Sequence, residues 1–431
     1  MAAGGTETAG FANVVRALSI RNYRLFATGN GMSQVGYWIQ RVAQGWLAWQ
    51  LTHSGTWLGL VAAADLIPNV VVSPFAGALA DRMDRIRVIR VTQLVAIVQA
   101  WILAILSFYE VITIEELFLL IFALGFINAF NQPARLALIP SLVDSATLPS
   151  AVALNSLIFN LARFIGPAIA GLVIVEGSVG MAFVLNACSY VAFSLTLARI
   201  KLAPQRLAPQ HRFLRQSLEG MVYAMRHPGI GQMMMLFAVT TVGIRGYIEL
   251  FPGFADNVFH RGPQGLAWMT ATVGLGAMAG GAWMLRRSSV KGLTGIAVNH
   301  TLVMSLAVLV FACAGTYWFA LAALFVSGFG MTASGISAQT LVQTSVDPVM
   351  RGRVMAFYGM VFRAGPALGA LLSGFLATRL GFRIPVAAGA VACVLAWVWA
   401  RFRLEAMRQI LERPIEPEPE PQPEPARAVA E

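Results

Sequence analysis

Six charged residues lie inside long apolar stretches of this sequence. Ionised side chains are costly in such surroundings, so each is expected to have a partner or a function. Buried carboxyl groups can bind and release protons, and buried arginines can hold anions or pair with those carboxylates. The candidates for binding a charged ligand or a proton are Arg41, Asp65, Arg163, Arg245, Glu249 and Arg363.

Arg41 belongs to a polar stripe in the first apolar stretch. Polar residues recur there at spacings of three and four and so share one helix face: Gln34, Tyr37, Arg41 and Gln44. At about 1.5 Å per residue, Arg41 and Asp65 of the next stretch lie at similar depths and can form an ion pair. Such a pair is either a fixed structural bridge or a proton-binding site, and both interpretations stay open.

The other four charged residues divide into two pairs. Arg245 and Glu249 are four residues apart on one helix face, where an ion pair within the helix is possible. Arg163 and Arg363 have no acidic residue on their own stretches. They either donate hydrogen bonds to carbonyl groups freed near the neighbouring prolines or contact a ligand. Asp65 and Glu249 are the best candidates for proton binding, because burial favours the neutral carboxyl.

The composition places these residues in a membrane protein. Of 431 residues, 57% are hydrophobic and 12% are charged, and the mean hydropathy is +0.68. A soluble protein needs more charged and polar groups to cover its exterior. Twelve apolar stretches come close to or exceed the roughly 20 residues that a helix needs to cross a bilayer. The sequence therefore predicts an all-α membrane protein with twelve transmembrane helices.

The charges between the apolar stretches predict their orientation. Arginine and lysine concentrate in alternate loops, such as 82–90, the loop assigned to Arg135, and 199–226, whereas the opposite loops carry mainly acids such as Glu115 and Glu176. This asymmetry follows the positive-inside rule and predicts that both termini are cytoplasmic. The net charge of +11 is then a topology signal, and no nucleic-acid partner is expected.

Hydropathy divides the chain into five segments. They are a cytoplasmic N-terminal segment (1–22), a first six-helix bundle (23–200), a basic cytoplasmic linker (201–228), a second six-helix bundle (229–403) and a tail (404–431). Within the linker, Phe213–Met225 can form an amphipathic helix at the membrane surface. The tail ends in alternating Pro and Glu and is predicted to be disordered in the cytoplasm.

The two predicted bundles carry a weak repeat. Residues 160–171 read NLARFIGPAIAG and residues 359–370 read GMVFRAGPALGA, so an arginine followed by Gly-Pro recurs about 200 residues later. Internal duplication in a membrane protein is typical of transporters with two pseudo-symmetric bundles and a binding site between them near mid-membrane.

The densest charge cluster follows the second apolar stretch. Residues 77–87 read GALADRMDRIR. This resembles the loop signature Gly-x-Leu-x-Asp-Arg-x-Gly-Arg-Lys, which lies between the second and third helices of the major facilitator superfamily; Asp84 replaces its second Gly. The resemblance implies that Asp81 contacts the start of the eleventh helix, near Arg351, and closes the cytoplasmic side. The implied conformational latch comprises Gly77, Asp81, Arg82, Arg85, Gly166 and Pro167.

Residues 162–171, in the fifth stretch, carry a second resemblance. They are similar to the antiporter signature Gly-x-x-x-Gly-Pro-x-x-Gly-Gly of the drug-efflux branch, with alanine at two of its glycine positions. Small residues allow helices to approach closely, and proline permits bending. An arginine that this branch often carries in its fourth helix is Ile121 here. Any proton coupling must therefore use other groups.

Two further stretches narrow the resemblance. Residues 128–143 (NAFNQPARLALIPSLV) and 351–354 (RGRV) are typical of the bacterial branch that contains enterobactin exporters and macrolide efflux pumps. The resemblance implies a secondary active transporter of the bacterial inner membrane. It would export amphipathic small molecules, such as drugs or siderophores, by alternating access driven by the proton gradient.

Other functions remain open at this stage. Movement of lipid or lysophospholipid between leaflets and substrate uptake are alternatives within transport, and a transporter-like membrane sensor is a third. An enzyme is not expected, because no nucleophile–base pair or metal-ligand spacing is present. The sequence contains no Gly-rich phosphate-binding loop, so ATP is not expected to be the direct energy source. A monomer in the lipid bilayer is expected, without cofactor or metal.

Overall fold

The computed structural model describes residues 16–80, 84–201, 213–287 and 289–412. This part of the chain consists of helices and turns, without β-strands. Its first six long helices are α1 (Arg21–Thr52), α2 (Gly55–Ala80), α3 (Arg85–Phe108), α4 (Ile114–Leu138), α5 (Leu148–Glu176) and α6 (Val179–Ala198). The others are α7 (Phe213–Arg226), α8 (Pro228–Gly243), α9 (Gly262–Leu285), α10 (Leu293–Cys313), α11 (Tyr317–Ser345), α12 (Arg351–Leu380), α13 (Arg383–Phe402) and α14 (Leu404–Leu411).

Polar caps determine where several helices begin. Asp84 accepts a hydrogen bond from the backbone N–H of Ile86 (3.0 Å) at the start of α3. Thr113 and Glu116 form a capping box at the start of α4, and Ser178 caps α6. Each cap satisfies backbone donors that lack a partner within the helix. Asp84, the departure from the loop signature, thus has a structural role at a helix start.

The segment after α8 is an irregular helix. A 3₁₀ segment (Arg245–Leu250) is followed by one α-helical turn (Phe251–Gly253) and a π-helical turn (Phe254–Val258). Glycine and proline in this stretch weaken the regular hydrogen-bond ladder. The change of helical pitch re-aims the side chains of this segment relative to an α-helix.

Ten helical segments of the described chain are long and apolar enough to cross a membrane. The irregular segment and α8 together form one of them, Pro228–Val258. Helices α1 and α9 have a similar length but are not among these ten; α1 carries the polar stripe and α9 is rich in glycine. The predicted all-α architecture with many membrane-spanning helices is confirmed for the described chain, and the number of twelve stays a prediction.

The helices pack into an N-terminal half (α1–α6) and a C-terminal half (α8–α13). Within the N-terminal half, α1 packs on α5 and α6, α2 on α4, and α3 on α4 and α6. Within the C-terminal half, α11 packs on α9 and α10, α10 on α13, and α8 on α12 and α13. The halves meet mainly where α2 packs on α12 and α5 on α9.

Small residues bring the halves together at one end of the molecule. We call it the loop end; it contains the turns at residues 53–54, 177–178 and 259–261. The opposite, linker end contains residue 21 and residues 199–201. At the loop end, a Cβ on Gly55 would lie 2.8 Å from the carbonyl O of Gly374, and one on Gly59 would lie 2.5 Å from that of Ala370. These glycines let two helix backbones approach more closely than side chains permit.

Two additional helices lie at the linker end. Helix α7 matches the predicted amphipathic linker helix and contacts α12, where Arg353 Nη1 donates to Glu219 (2.6 Å). Residues 404–411 differ from the predicted disordered tail, because they form α14. Its Met407 and Leu411 lie four residues apart on one face and are buried. Residues 413–431 lie outside the described chain.

Candidate functional site

Arg41 is the centre of a charged cluster. Its guanidinium donates hydrogen bonds to the carboxylates of Asp65 on α2 and Glu249 in the irregular segment. The distance from Nη2 to Glu249 Oε1 is 2.5 Å, and Tyr37 Oη donates to Asp65 Oδ2 over 3.2 Å. The side chains of Arg41, Asp65 and Glu249 are only 20%, 11% and 22% exposed, respectively. The predicted ion pair between Arg41 and Asp65 is thus present in the structure.

The second predicted ion pair, Arg245 with Glu249, is wrong. In a 3₁₀ segment, with 3.0 residues per turn, side chains four residues apart point about 120° away from each other. Glu249 reaches Arg41 instead. Arg245 Nη2 donates to the carbonyl of Met331 on α11 over 3.4 Å. The Glu249 carboxylate therefore pairs with an arginine of the N-terminal half and not with the one on its own segment.

The ion pair from Arg41 to Glu249 joins the two halves. On its loop side, Trp49 Nε1 donates to Asp256 Oδ2 (2.8 Å) and the backbone N–H of Thr56 donates to Thr378 Oγ1 (2.9 Å). Within the described residues, the hydrogen bonds between helices of the two halves lie at the level of Arg41 or nearer the loop end. This cluster is thus the innermost layer of a closed loop end.

Two small pockets flank this layer on its loop side. One, with a cavity volume of about 60 Å³, lies between α1, the irregular segment and α9, where Gly45, Pro252 and Thr270 contribute to its wall. The other, of about 20 Å³, lies between α1, α2 and α4 and includes Gln44 and Ile121. Both pockets reach Arg41 and Glu249. The Glu249 carboxylate is therefore close to space that a water molecule can occupy.

Arg163 and Arg363 occupy equivalent places on α5 and α12. The guanidinium of Arg163 lies 5.7 Å from the ring centre of Trp38, within electrostatic range of Arg41 and Glu249. Arg363 is exposed. The structure gives neither guanidinium a hydrogen bond to the described chain, so the predicted contact with carbonyl groups near the prolines is not formed. The alternative, contact with a ligand, remains.

Arg245 lies between aromatic rings of the C-terminal half. Its guanidinium is 5.4 Å from the ring centre of Phe237 and 5.0 Å from that of Phe362. It also lies within electrostatic range of Arg163. Five of the six predicted charged residues thus belong to one cluster, and Arg363 follows Phe362 directly on α12.

The Gly-Pro repeat marks two equivalent helix crossings. A Cβ on Gly166 would lie 2.5 Å from the Cβ of Trp38 on α1, and one on Gly365 would collide with Thr241 on α8. Pro167 is buried inside α5. These residues allow α5 and α12 to pack closely on the first helix of their own halves, which agrees with the predicted duplication.

The predicted latch is only partly visible. Asp81 and Arg82 lie outside the described residues, and Gly77 lies within α2. Arg85 Nη1 donates to the carbonyl of Ala137 near the C-terminus of α4 (2.9 Å), where a cation is favourable. Arg85 therefore fastens α3 to α4 in this conformation, and the latch stays a prediction.

The sequence did not single out Trp38 and Arg135. Trp38 follows Tyr37 of the polar stripe and lies beneath both Arg41 and Arg163. Arg135, which the charge pattern assigns to a loop, lies within α4 and donates to Asn30 (3.0 Å) and Gln93 (2.8 Å). Asn30 lies four residues before Gln34 and so extends the polar stripe of α1 toward the N-terminus. Including Asn30 in the stripe would have indicated a polar partner for Arg135.

The arrangement can exchange ion pairs and protons. Within the described chain no group of three or more His, Cys, Asp or Glu side chains could hold a metal. A guanidinium shared by two carboxylates can release one of them when that carboxyl binds a proton or when another anion takes its place. Such an exchange here would also break a contact between the halves.

Comparisons with known proteins agree with this architecture. A family model described as transmembrane secretion effector matches residues 13–428. Macrolide efflux protein A of Streptococcus pyogenes is 21% identical over 392 residues, which cover 84% of this chain and 90% of that protein. The enterobactin exporter of Shigella boydii is 27% identical over 332 residues, which cover 77% and 79%.

A solved structure shows the same fold. It is that of a bacterial homologue of the human lysosomal transporter Spinster, in an inward-facing and occupied conformation. It matches 92% of this chain and 99% of its own length with a TM-score of 0.71, at 14% sequence identity.

Proposed function

Because the chain belongs to the transmembrane secretion effector family of the major facilitator superfamily, we propose that it exports amphipathic small molecules in exchange for protons. That it is a multi-pass membrane transporter and not an enzyme follows from this family. The exported molecules would be drugs, siderophores or similar metabolites. Efflux and export by the two relatives support this direction of transport.

We propose that α1–α6 and α8–α13 are two six-helix bundles that together cross the membrane twelve times. Helices α1 and α9 complete the set, because their polar and glycine-rich faces pack inside the protein. The positive-inside rule then places the linker end in the cytoplasm. The described conformation would face inward, with its loop end closed on the outer side.

The observation that carries the proposal is the sharing of Arg41 between Asp65 of its own half and Glu249 of the other. Ionised Glu249 holds the loop end closed. Substrate arriving from the cytoplasm weakens this ion pair, and the loop end opens. A proton from outside then neutralises Glu249 while the halves are apart, and it is released inward when Arg41 recaptures the carboxylate. Asp65 keeps Arg41 in position throughout.

The test is transport into everted membrane vesicles, with and without a pH gradient. The compound panel would contain a macrolide, a catecholate siderophore and a carboxylate siderophore. We expect Glu249→Gln to lower gradient-driven transport at least tenfold, because the variant carboxamide cannot ionise. The matched control is Asp256→Asn, since Asp256 also links this segment to α1 but contacts Trp49 and no arginine.

The outcomes separate coupling from folding. Both variants should reach the membrane in normal amounts, and Asp256→Asn should keep most of the gradient dependence. Gradient-driven transport that survives Glu249→Gln would overturn the role of Glu249. Transport of the panel in the opposite direction would overturn export itself.

A further inference from the structure

We propose that the space between the halves binds an anionic substrate, an apolar or aromatic molecule that carries a carboxylate or a similar acidic group. Arg163, Arg245 and Arg363 would receive the anion. This inference rests on the proposed function, because it names the class of molecule that the transporter carries. It follows from the position, charge and surroundings of the three arginines.

Helix periodicity places Arg363 in the space between the halves. Ala370, Gly374 and Ala377 follow it by 7, 11 and 14 residues and therefore share its helix face. Gly374 and Ala377 pack on Gly55 of α2, and Ala370 packs on Gly59. Arg363 lies two turns nearer the linker end, where the same face is exposed. Its side chain therefore points into the opening between the halves and away from lipid.

The same construction occurs on α5. Ala170 and Ile174 follow Arg163 by 7 and 11 residues and are buried, and Gly171 packs on Ala267 of α9. Arg163 thus lies on the face that meets the C-terminal half at the loop end. The repeat delivers one arginine from each half to the central space, at equivalent depths.

Positive charge exceeds negative charge in this space. Among the described residues, the cluster contains Arg41, Arg163 and Arg245 but only the carboxylates of Asp65 and Glu249, and both carboxylates are paired with Arg41. Arg363 adds a further positive charge. Uncompensated guanidinium groups inside a membrane are costly. An anion that bound them would remove this cost and gain charge-assisted hydrogen bonds.

The surroundings of the arginines fit a molecule with an apolar body. Trp38 lies beneath Arg163, and Phe362, which is 43% exposed, lies beneath Arg245. Nε1 of Trp38 and Nε of Arg245 are among the buried N–H groups that have no acceptor within the described chain. Unpaired buried donors favour a ligand that supplies oxygen acceptors. Aromatic faces beside them favour an apolar ligand surface.

Equilibrium binding to the full chain in lipid nanodiscs tests the proposal. The probes are dansylated amino acids and their methyl esters, which differ in the carboxylate but share the aromatic body. Fluorescence anisotropy should show the acids binding at least tenfold more tightly than the esters. Arg363→Gln and Arg163→Gln should each weaken acid binding about tenfold and leave ester binding unchanged.

Two further variants separate charge from folding. Arg363→Lys should keep part of the preference for the acid, because the positive charge remains. Arg379→Gln is the matched control, since Arg379 lies on the same helix and over an aromatic ring, that of Phe375 (4.6 Å), but at the loop end. Equal binding of acid and ester, no binding of either, or an equal loss in Arg379→Gln would overturn the proposal.

The result can be separated from that of the export experiment. Preference for the acid without gradient-driven transport would support the substrate class and count against the coupling. Gradient-driven export together with equal binding of acid and ester would support the transport function and remove the anionic substrate class.

Discussion

In the N-terminal half Arg41 lies beside an acid of its own half, Asp65, whereas in the C-terminal half Arg245 lies against Phe237, Phe362 and a backbone carbonyl. The acid that the sequence places near Arg245, Glu249, is turned toward the N-terminal half by the 3₁₀ segment. The two halves therefore share helices and a Gly-Pro crossing but differ in charge. Within the cluster Arg41 is paired with two carboxylates. Arg245 of the C-terminal half, like Arg163 of the N-terminal half, has no carboxylate partner in the described chain.

In the proposed mechanism this difference gives Arg41 and Arg245 separate roles. An ion pair confined to one half does not break when the halves separate. Glu249 of the C-terminal half pairs with Arg41 of the N-terminal half. The charge balance of the cluster therefore changes when the halves separate. The same pairing leaves Arg245 without a carboxylate in the described chain. If the proposals hold, the coupling role of Glu249 and the availability of Arg245 to an anion both result from the 3₁₀ geometry of one segment.

The largest effect is expected from preventing contact between the halves. In Gly374→Val, the new side chain would collide with the carbonyl of Gly55, so the loop end could not close. We expect at least a tenfold loss of transport in everted vesicles. Gly295→Val is the matched control, because Gly295 lies on α10, away from the contact between the halves, with no atom within 4 Å of an added Cβ. Equal loss in both variants would contradict the closure that the glycines provide.

A smaller effect should distinguish the two carboxylates. Asp65→Asn removes the partner that holds Arg41 within its own half, and the Asp65 side chain is 11% exposed, against 22% for Glu249. We expect Asp65→Asn to lower stability by on the order of 2 kcal/mol and more than Glu249→Gln does. Thermal unfolding in detergent measures this difference. The reverse order would show that the bridge between the halves, rather than the pair within one half, positions Arg41.

The smallest effect concerns the C-terminal half at the linker end. Burial tends to raise the pKa of Glu412, but hydrogen bonds from the backbone N–H groups of Gly292 (2.8 Å) and Thr294 (2.9 Å) outweigh it and lower the pKa. A carboxylate with a lowered pKa stabilises the folded state above its unfolded-state pKa and loses this contribution as the pH falls through the folded-state value. Glu412→Gln should therefore cost roughly 1 kcal/mol at pH 7.

Thermal unfolding across a pH series checks this prediction. The difference between Glu412→Gln and the unaltered protein should disappear below the folded-state pKa of Glu412. A difference that stays constant down to acidic pH would show that the carboxylate charge is not what stabilises the start of α10.

Helix periodicity predicted part of the site and failed where the helix was irregular. The pairing of Arg41 with Asp65 could be predicted, because both residues lie on regular α-helices whose depth follows from counting residues. The pairing of Arg245 with Glu249 failed, because the spacing rule assumes 3.6 residues per turn and the segment has a 3₁₀ pitch. The bridge from Arg41 to Glu249 joins residues 208 positions apart, and no local pattern specifies such a contact.

Composition was a better guide to the membrane fold than to the ends of the chain. Apolar length and alternating charge predicted the long helices, since both follow from the bilayer itself. The disordered tail was predicted to begin at residue 404, which is too early, because residues 404–411 form a helix. Only Met407 and Leu411 of this helix are buried, and two residues are too few to produce a hydropathy signal. Arg135 was assigned to a loop because no residue near it in sequence indicates a polar partner. Its partners, Asn30 on α1 and Gln93 on α3, are distant in sequence.

The most direct test of the central claim measures the separation of the halves at the loop end. Spin labels would replace Thr56 and Thr378, whose backbone N–H and hydroxyl are joined in the closed state, in a chain whose three cysteines have been changed to serine. Pulsed electron paramagnetic resonance in nanodiscs would report the distance between the labels as a function of pH. Glu249 faces Arg41, with Asp65 and Arg163 nearby.

We expect acidic pH to lengthen this distance in the chain with Glu249, because protonation removes the ion pair that holds the loop end closed. Glu249→Gln should show the long distance at every pH, and Asp256→Asn should respond to pH as the unaltered chain does. A closed loop end in Glu249→Gln, or the same pH response with and without the Glu249 carboxylate, would contradict the account.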